Sequence, residues 1–226
     1  MFYLTNRDYA TLIMDTGTIL MILGVIILLF RQGEKGRPDL NSFLTLLILT
    51  IVMAAGDMLG YLSDQKMFPH SRMLATFGMT VFYAGFLLAA VSWLHYCRVR
   101  FKHEGLSGRT RFAFEYLPGM IGTALILINI FTGWIFHYDE TVTYHRGVLF
   151  IPMYVAFAIF LLAGFLCLAR CRDHSRGGIL IPLWICALPM ILGISFTFLV
   201  SNSASFAPIG IAMCFVFTHM GTMNEV

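Results

Sequence analysis

The segment 131–147 concentrates side chains that could bind a ligand or exchange a proton. Arg146 offers a forked donor that suits a carboxylate, either on a ligand or elsewhere in the protein. His145 is a candidate reader of the external pH, because histidine is the usual pH-responsive side chain near neutrality. Metal binding by His137, Asp139 and His145 is an alternative, but their spacing matches no strong ligand pattern. We therefore predict no metal in this segment.

Aromatic rings accompany these polar groups at Trp134, Tyr138 and Tyr144. Aromatic residues alone would fit the interfacial belt of a membrane protein. The run Tyr144-His145-Arg146-Gly147 is harder to explain in that way, and it favours a functional site.

A single carboxylate, Asp57, stands in an otherwise apolar stretch. An aspartate at the centre of a membrane helix costs about 2.5–3.5 kcal/mol on insertion scales, so its side chain should face the interior or a wet cavity. Tyr61 and Asp64 follow at i+4 and i+7 on the same helical face, and Asp15 lies at a similar depth in the first apolar stretch. The alternative is a structural acid that pairs with Arg72, Tyr83 or a neighbouring backbone group.

Seven apolar stretches must position these residues. Each is long enough to cross a hydrocarbon core about 30 Å thick, for which a helix needs about 20 mostly apolar residues. Hydrophobic residues make up 58% of the 226-residue chain and charged residues only 12%, with a mean hydropathy of +0.79, which excludes a soluble globular protein. We predict an all-α membrane protein that forms one seven-helix transmembrane domain over residues 1–226, with spans at about 12–30, 40–62, 72–96, 112–136, 148–169, 178–200 and 203–220.

Basic residues fix the predicted orientation. Most of the 15 lysines and arginines lie in the connections 31–39, 98–111 and 170–176, which alternate with connections poor in basic residues. Positively charged loops stay in the cytoplasm, so we expect the N-terminus outside, the C-terminus inside and a multi-pass protein of the inner (plasma) membrane. The net charge of +3 then reflects topology and does not indicate nucleic acid as a partner.

Enzyme chemistry and bound cofactors have no support in the sequence. Gly-x-Ser-x-Gly, a glycine-rich phosphate loop and His-Glu-x-x-His are all missing, and the predicted seventh helix has no lysine for a retinal Schiff base. The cysteines lie in helices or at their cytoplasmic ends, so we expect packing rather than disulfides; acylation is the alternative for Cys97 and Cys171. The five cysteines are Cys97, Cys167, Cys171, Cys186 and Cys214.

Prolines and small residues should shape the bundle. We expect helix kinks at the prolines inside the spans, and a sixth helix with Pro182 and Pro189 on one face is either a moving part or statically bent. The small residues of helices two and three should allow close helix packing. The prolines are Pro118, Pro152, Pro182, Pro189 and Pro208, and the small residues are Ala54, Ala55, Gly56, Gly60, Gly78 and Gly85.

Other polar residues are candidates for contacts between helices. His95, Glu115 and His219 would form a polar network on the cytoplasmic side, linking helices three, four and seven. Asn129 should hydrogen-bond across helices, which is worth about 0.6 kcal/mol.

Three motifs resemble a known family. They are Gly56-Asp57-Met58-Leu59-Gly60-Tyr61, the run 131–139 leading into 142–152, and Pro208-Ile209-Gly210-Ile211-Ala212-Met213. With the topology, they resemble the seven-transmembrane sensor region at the N-terminus of bacterial diguanylate cyclases and sensor histidine kinases. The resemblance implies a sensing cluster that consists of Asp57, Tyr61, Trp134, Tyr144, His145 and Arg146. Those relatives continue into an output enzyme, so we expect either a downstream output domain or a stand-alone receptor with a cytoplasmic partner.

The resulting hypothesis is a membrane receptor for signal transduction. A small ligand or a proton from outside would change the pairing of Asp57 with Arg146 or His145 and shift helices six and seven. The rivals are a small transporter or channel, which would favour inverted repeats that the sequence does not show, and a membrane scaffold subunit. The expected partners are the lipid bilayer, the external ligand, a cytoplasmic output domain or protein, and by analogy a second copy in a homodimer.

Overall fold

The computed structural model describes residues 6–31, 38–64, 70–100, 116–172, 187–193, 195 and 207–223, and nearly all of them are helical. Glu115, Cys186, Pro182 and most of the predicted sixth span and basic connections lie outside these residues. The elements are α1 (Asn6–Arg31), α2 (Pro38–Asp64), α3 (Ser71–Arg100), α4 (Leu117–Thr132), β1 (Phe136–Tyr138), β2 (Tyr144–Arg146), α5 (Phe150–Arg172), α6 (187–193) and α7 (Ala207–Met223).

Among the described residues, four helices are long and apolar enough to cross a membrane. They cover Tyr9–Arg31, Asp39–Ser63, Ser71–Arg100 and Phe150–Cys167. The described parts of α4 and α7 are shorter apolar helices. The helical fold is therefore confirmed, and these helices suit a membrane protein, whereas the number of spans and their orientation stay predictions.

The fourth helix ends earlier than the predicted boundary at residue 136. Gly133 takes a left-handed conformation with φ of +65°, and its N–H donates to the Asn129 carbonyl oxygen. Glycine adopts this conformation without steric cost, and it closes the helix at Thr132. Phe136 lies instead in an antiparallel hairpin, in which it pairs with Arg146.

Prolines begin helices where we expected kinks. Pro118, Pro152 and Pro208 are the second, third and second residues of α4, α5 and α7. The first turn of a helix has no internal partner for its N–H groups, so a proline there removes no hydrogen bond. The kink prediction is wrong at Pro118 and Pro152; for Pro208, whose helix is described only from Ala207, it stays a prediction.

The α3 helix is the central packing element. It contacts α2, α4, α5 and β1, while α1 packs against α2 and α7. The helices α2 and α3 approach each other closely, since a Cβ added at Gly56 would lie 2.7 Å from the Phe82 nitrogen. A Cβ at Gly78 would collide with the backbone of Gly60. The predicted role is confirmed for Gly56, Gly60 and Gly78, whereas Ala55 is exposed.

Candidate functional site

Asn129 anchors the hairpin to the end of α4. Its Oδ1 accepts from the Ile135 N–H at 2.6 Å, and its Nδ2 donates to the Phe136 carbonyl oxygen at 2.9 Å. These bonds satisfy backbone groups that are buried beside the membrane helices, where an unpaired polar group is costly. We had predicted that Asn129 hydrogen-bonds to another helix. It binds the backbone of the hairpin instead.

Asp139 organises the turn of the hairpin. Its Oδ1 accepts from the Thr141 N–H and hydroxyl and from the Thr143 N–H, at 2.7–2.9 Å. Its Oδ2 lies 3.3 Å from Nε2 of His145. The hydrogen bonds from Thr141, Thr143 and His145 hold the pKa of this exposed carboxyl well below its usual range.

Strand alternation gives the hairpin two different faces. Phe136 and Tyr138 are buried, whereas His137 is exposed and pairs across the strands with His145. The two imidazole rings stack at 5.2 Å on the outer face. Side chains on the buried face, including that of Tyr144, are turned toward the helices.

Three tyrosine hydroxyls meet beneath the hairpin. The Tyr144 hydroxyl lies 2.6 Å from that of Tyr83 in α3, and Tyr83 is also hydrogen-bonded to Tyr154 in α5. Burial raises the pKa of Tyr144 to about 12, so it is a neutral hydrogen-bonding group at physiological pH. The cluster joins the hairpin to two helices through side chains that are far apart in the sequence.

Asp57 lies next to this cluster. Its residue is 6% exposed, and its carboxyl interacts electrostatically with Tyr83, Tyr144 and Tyr154. It also interacts electrostatically with Asp15 in α1, which is fully buried. The position beside Gly56 places Asp57 at the tightly packed contact between α2 and α3. An ionisable group here is expected to serve function rather than packing.

The other members of the predicted sensing cluster are distributed around this centre. Tyr61 is buried one turn further along α2, and Trp134 is 51% exposed. The Arg146 guanidinium lies 4.8 Å from the Phe150 ring centre and interacts electrostatically with Tyr144. The structure thus brings Asp57 and Tyr144 together, with Arg146 beside Tyr144.

His145 does not follow the predicted arrangement with Asp57. Strand alternation places it on the outer face of the hairpin, where it stacks on His137 and meets Asp139. Tyr144, and not His145, lies on the face of the hairpin that meets the helices. Tyr154 was missed altogether, because a tyrosine inside an apolar span carries no distinctive signal.

A second set of polar contacts lies at the opposite end of α3. Tyr96 hydrogen-bonds to Nδ1 of His219 in α7 at 2.8 Å, and His95 is bonded to Tyr116 at 2.7 Å. These bonds agree with the predicted link among helices three, four and seven. Sequence reasoning missed the ion pair of Arg100 with Asp39, whose N–O distance is 2.5 Å.

Metal ligands are not grouped in the part of the chain that the structure describes. No three histidine, cysteine or carboxylate side chains there converge in a way that could hold an ion. Cys97, Cys167 and Cys214 are buried thiols within the helices. No family model, curated protein or solved structure matches the chain.

Proposed function

We propose that the chain is a membrane sensor that detects an external or membrane cue and relays it to a cytoplasmic output domain or partner. In this proposal the chain crosses the bacterial inner membrane seven times, with its N-terminus outside, and belongs with the sensor regions of diguanylate cyclases and histidine kinases. The cue is a small carboxylate or a proton. Arg146, with its forked donor, favours the former.

The single observation that carries the proposal is the hydrogen bond between Tyr144 and Tyr83 above the buried Asp57. It connects a surface hairpin, which a ligand can reach, to the central helix of the bundle. A cue that binds one arrangement of this contact better than another would shift the populations of two conformations of the helix bundle.

The same helix offers a route to the other side. Tyr83 and Tyr96 are both in α3, and thirteen residues of α-helix rise about 20 Å. Tyr96 contacts His219 of α7, and Trp93 stacks on Phe215 of α7 at 5.0 Å. A small rotation of α3 at Tyr83 would therefore displace the contacts that Tyr96 and Trp93 make with α7.

Trp93 provides a test of this relay, because it is fully buried at the contact of α3 with α7. The chain has three tryptophans, and Trp184→Phe removes the emission of one of them. This variant, in lipid nanodiscs, would be exposed to a panel of short carboxylic and amino acids and to a pH step from about 7.5 to about 5.5. Iodide added to the buffer should quench the fluorescence of the exposed Trp134, so that the remaining emission comes from the buried Trp93. We expect at least one probe to shift the Trp93 emission.

The controls separate relay from local effects. Tyr144→Phe should abolish the response of Trp93, whereas Glu140→Gln, at an exposed position of the same hairpin, should keep it. An unchanged Trp93 signal with every probe contradicts the sensor proposal. Uptake of the active probe into sealed proteoliposomes would favour the transporter alternative, to which the buried acids Asp15 and Asp57 lend some support.

Orientation has its own test. Glu140→Cys introduces a thiol at an exposed position of the hairpin. A membrane-impermeant maleimide added to intact cells should label it if the hairpin is external. Labelling only after the cells are opened would reverse the proposed topology.

A further inference from the structure

A groove opens on the surface of the bundle where the first turns of α3 meet the last turn of α4. Its volume is about 460 Å³, within the range of about 300–1,000 Å³ that small-molecule sites occupy. The groove is separate from the tyrosine cluster beneath the hairpin. Its lining residues are His70, Arg72, Met73, Thr76 and Phe77 at the start of α3 and Ile130 in α4.

His70 fixes the mouth of the groove. Its backbone is in the left-handed conformation, with φ of +58°, and its carbonyl oxygen accepts from the N–H groups of Met73 and Leu74 at 3.0 and 3.2 Å. These bonds satisfy two of the N–H groups that the first turn of a helix leaves without internal partners. The start of α3, and with it the position of Arg72, is therefore well defined.

The lining changes from polar to apolar along α3. His70 and Arg72 are exposed at the mouth, whereas Phe77 lies five residues beyond Arg72, which corresponds to about 7.5 Å along the helix axis. Between them, Thr76 donates its hydroxyl hydrogen to the Arg72 carbonyl oxygen at 2.9 Å. Phe77 and Ile130 are both exposed apolar side chains. The groups that can recognise an anion are thus concentrated at the mouth.

This end of α3 lies at the expected lipid–water boundary. The apolar span of α3 begins at Ser71, and α4 ends at Thr132, two residues beyond Ile130. The exposed Trp134 follows directly, and tryptophan is enriched at membrane interfaces. A molecule in the groove would therefore have its polar end among the headgroups and its apolar part among the acyl chains.

From this geometry we infer that the groove binds a phospholipid with an anionic headgroup. The Arg72 guanidinium has the forked donor geometry that suits phosphate oxygens, and the His70 imidazole can donate a further hydrogen bond. One acyl chain lies along Met73, Phe77 and Ile130. The inference rests on the membrane location proposed above and does not depend on a sensor role.

Charge and polarity favour a lipid over other occupants of the groove. A soluble anion such as phosphate would use Arg72 but would leave the apolar wall in contact with water. A second copy in a symmetric dimer would bring the same cationic patch to this surface. An acidic lipid complements both parts, and one basic residue near a membrane surface strengthens binding to anionic lipid about fivefold.

Competition between two lipids tests the site. The purified protein in detergent would be equilibrated with equal amounts of phosphatidylglycerol and phosphatidylcholine that have the same acyl chains. Native mass spectrometry then counts the lipids that stay bound, and we expect one phosphatidylglycerol to be retained in preference. Arg72→Gln should weaken its retention about fivefold. Arg31→Gln, at an exposed arginine of α1 outside the groove lining, should leave it unchanged.

A second variant blocks the groove without a change of charge. Ile130→Trp places a larger side chain where the acyl chain would lie, so it should reduce the retention of phosphatidylglycerol. Ile128→Trp is the matched control, because Ile128 lies outside the groove lining of the same helix and is 47% exposed, against 45% for Ile130. Size-exclusion chromatography checks that each variant is folded and monodisperse.

Several outcomes would overturn the inference. They are equal retention of the two lipids, an equal loss in Arg72→Gln and Arg31→Gln, and full retention by Ile130→Trp. Displacement of the lipid by inorganic phosphate would identify a soluble anion as the occupant. Disulfide-linked dimers of Met73→Cys, absent from the wild-type protein, would identify a second copy.

Failure of the lipid site can be distinguished from failure of the proposed membrane location. A protein that is monodisperse in phosphatidylcholine nanodiscs but has no lipid preference would refute the site and leave the membrane proposal standing. Recovery of the protein outside the membrane fraction of cells would contradict both.

Discussion

The Tyr144 hydroxyl of the hairpin lies 2.6 Å from the hydroxyl of Tyr83, 61 residues earlier in the chain. Both side chains are largely buried, and the bond is the point at which the hairpin meets the central helix. Short neutral hydrogen bonds between hydroxyl groups contribute about 1 kcal/mol each. The contact is thus strong enough to fix the hairpin and weak enough for a ligand to alter.

The coupling between these two tyrosines can be measured. Tyr83→Phe and Tyr144→Phe should each lower the free energy of unfolding by about 1 kcal/mol. The double variant should lose less than the sum of the single variants, because the second substitution removes no further bond between them. Unfolding in detergent by a chemical denaturant gives these values, and strict additivity would show that the two hydroxyls do not interact.

Asn129→Ala should detach the hairpin from α4. It removes the acceptor for the Ile135 N–H and the donor to the Phe136 carbonyl oxygen, both of which are buried. Loss of a buried partner costs about 1–3 kcal/mol. We expect faster tryptic cleavage after Arg146 in the variant, with Thr132→Ala, at an exposed position of the same helix, as the control. Equal cleavage rates in both would contradict the anchoring role.

Gly78→Ala should separate α2 from α3. The added Cβ meets the backbone of Gly60, which cannot move without its helix. Overpacking of this kind costs about 1–3 kcal/mol. Gly24→Ala in α1 is the matched control, because nothing lies within 4 Å of its added Cβ, and it should be neutral or stabilising by up to about 1 kcal/mol. Similar melting temperatures for the two variants would count against the close contact.

The Asp39–Arg100 pair should be sensitive to the loss of one member. The side chains are only 11% and 4% exposed, so Arg100→Ala removes a cationic partner from a largely buried carboxylate. Such losses cost about 3–5 kcal/mol, whereas Asp39→Asn combined with Arg100→Gln should recover part of the stability. The melting temperatures of the two variants are compared. A double variant that melts no higher than Arg100→Ala would contradict the prediction.

The hairpin should weaken in acid through Asp139. Its carboxyl pKa is lowered in the folded protein from an ordinary value of 3.8, so the ionised form is stabilised by folding. This contribution is complete above the ordinary pKa and is lost as the pH falls through the lower, folded value. Melting temperatures of the wild-type protein and Asp139→Asn should differ at pH 7, and the difference should begin to shrink only as the pH falls below about 4. A constant difference would assign the effect to another group.

Hydropathy was sufficient to predict the long helices, because each is apolar over the length that a bilayer requires. The same measure failed after Thr132. Trp134, Ile135 and Phe136 continue the apolar run, although Gly133 ends the helix and Asn129 holds the backbone in a hairpin. A glycine followed, from Phe136 to Asp139, by alternating aromatic and polar residues was the available signal.

The candidate site was predictable only in part. The burial of Asp57 follows from the cost of a charge in lipid, and its identity is visible in the sequence. Tyr83 was named as an alternative partner and Tyr144 as a member of the sensing cluster, whereas Tyr154 was not, because no local pattern encodes how the three elements pack. The outward position of His145 depends on a strand register that is set by the hairpin turn.

The 30 residues of α3 have a consequence for the surrounding bilayer. An α-helix of this length measures about 45 Å, and the hydrocarbon layer only about 30 Å. The helix therefore either leans away from the bilayer normal or protrudes into the headgroups. An upright α3 places Arg100 and its partner Asp39 at the lipid–water boundary, where burying two charges costs less than in the hydrocarbon core. A thicker bilayer would bring this ion pair into the hydrocarbon core.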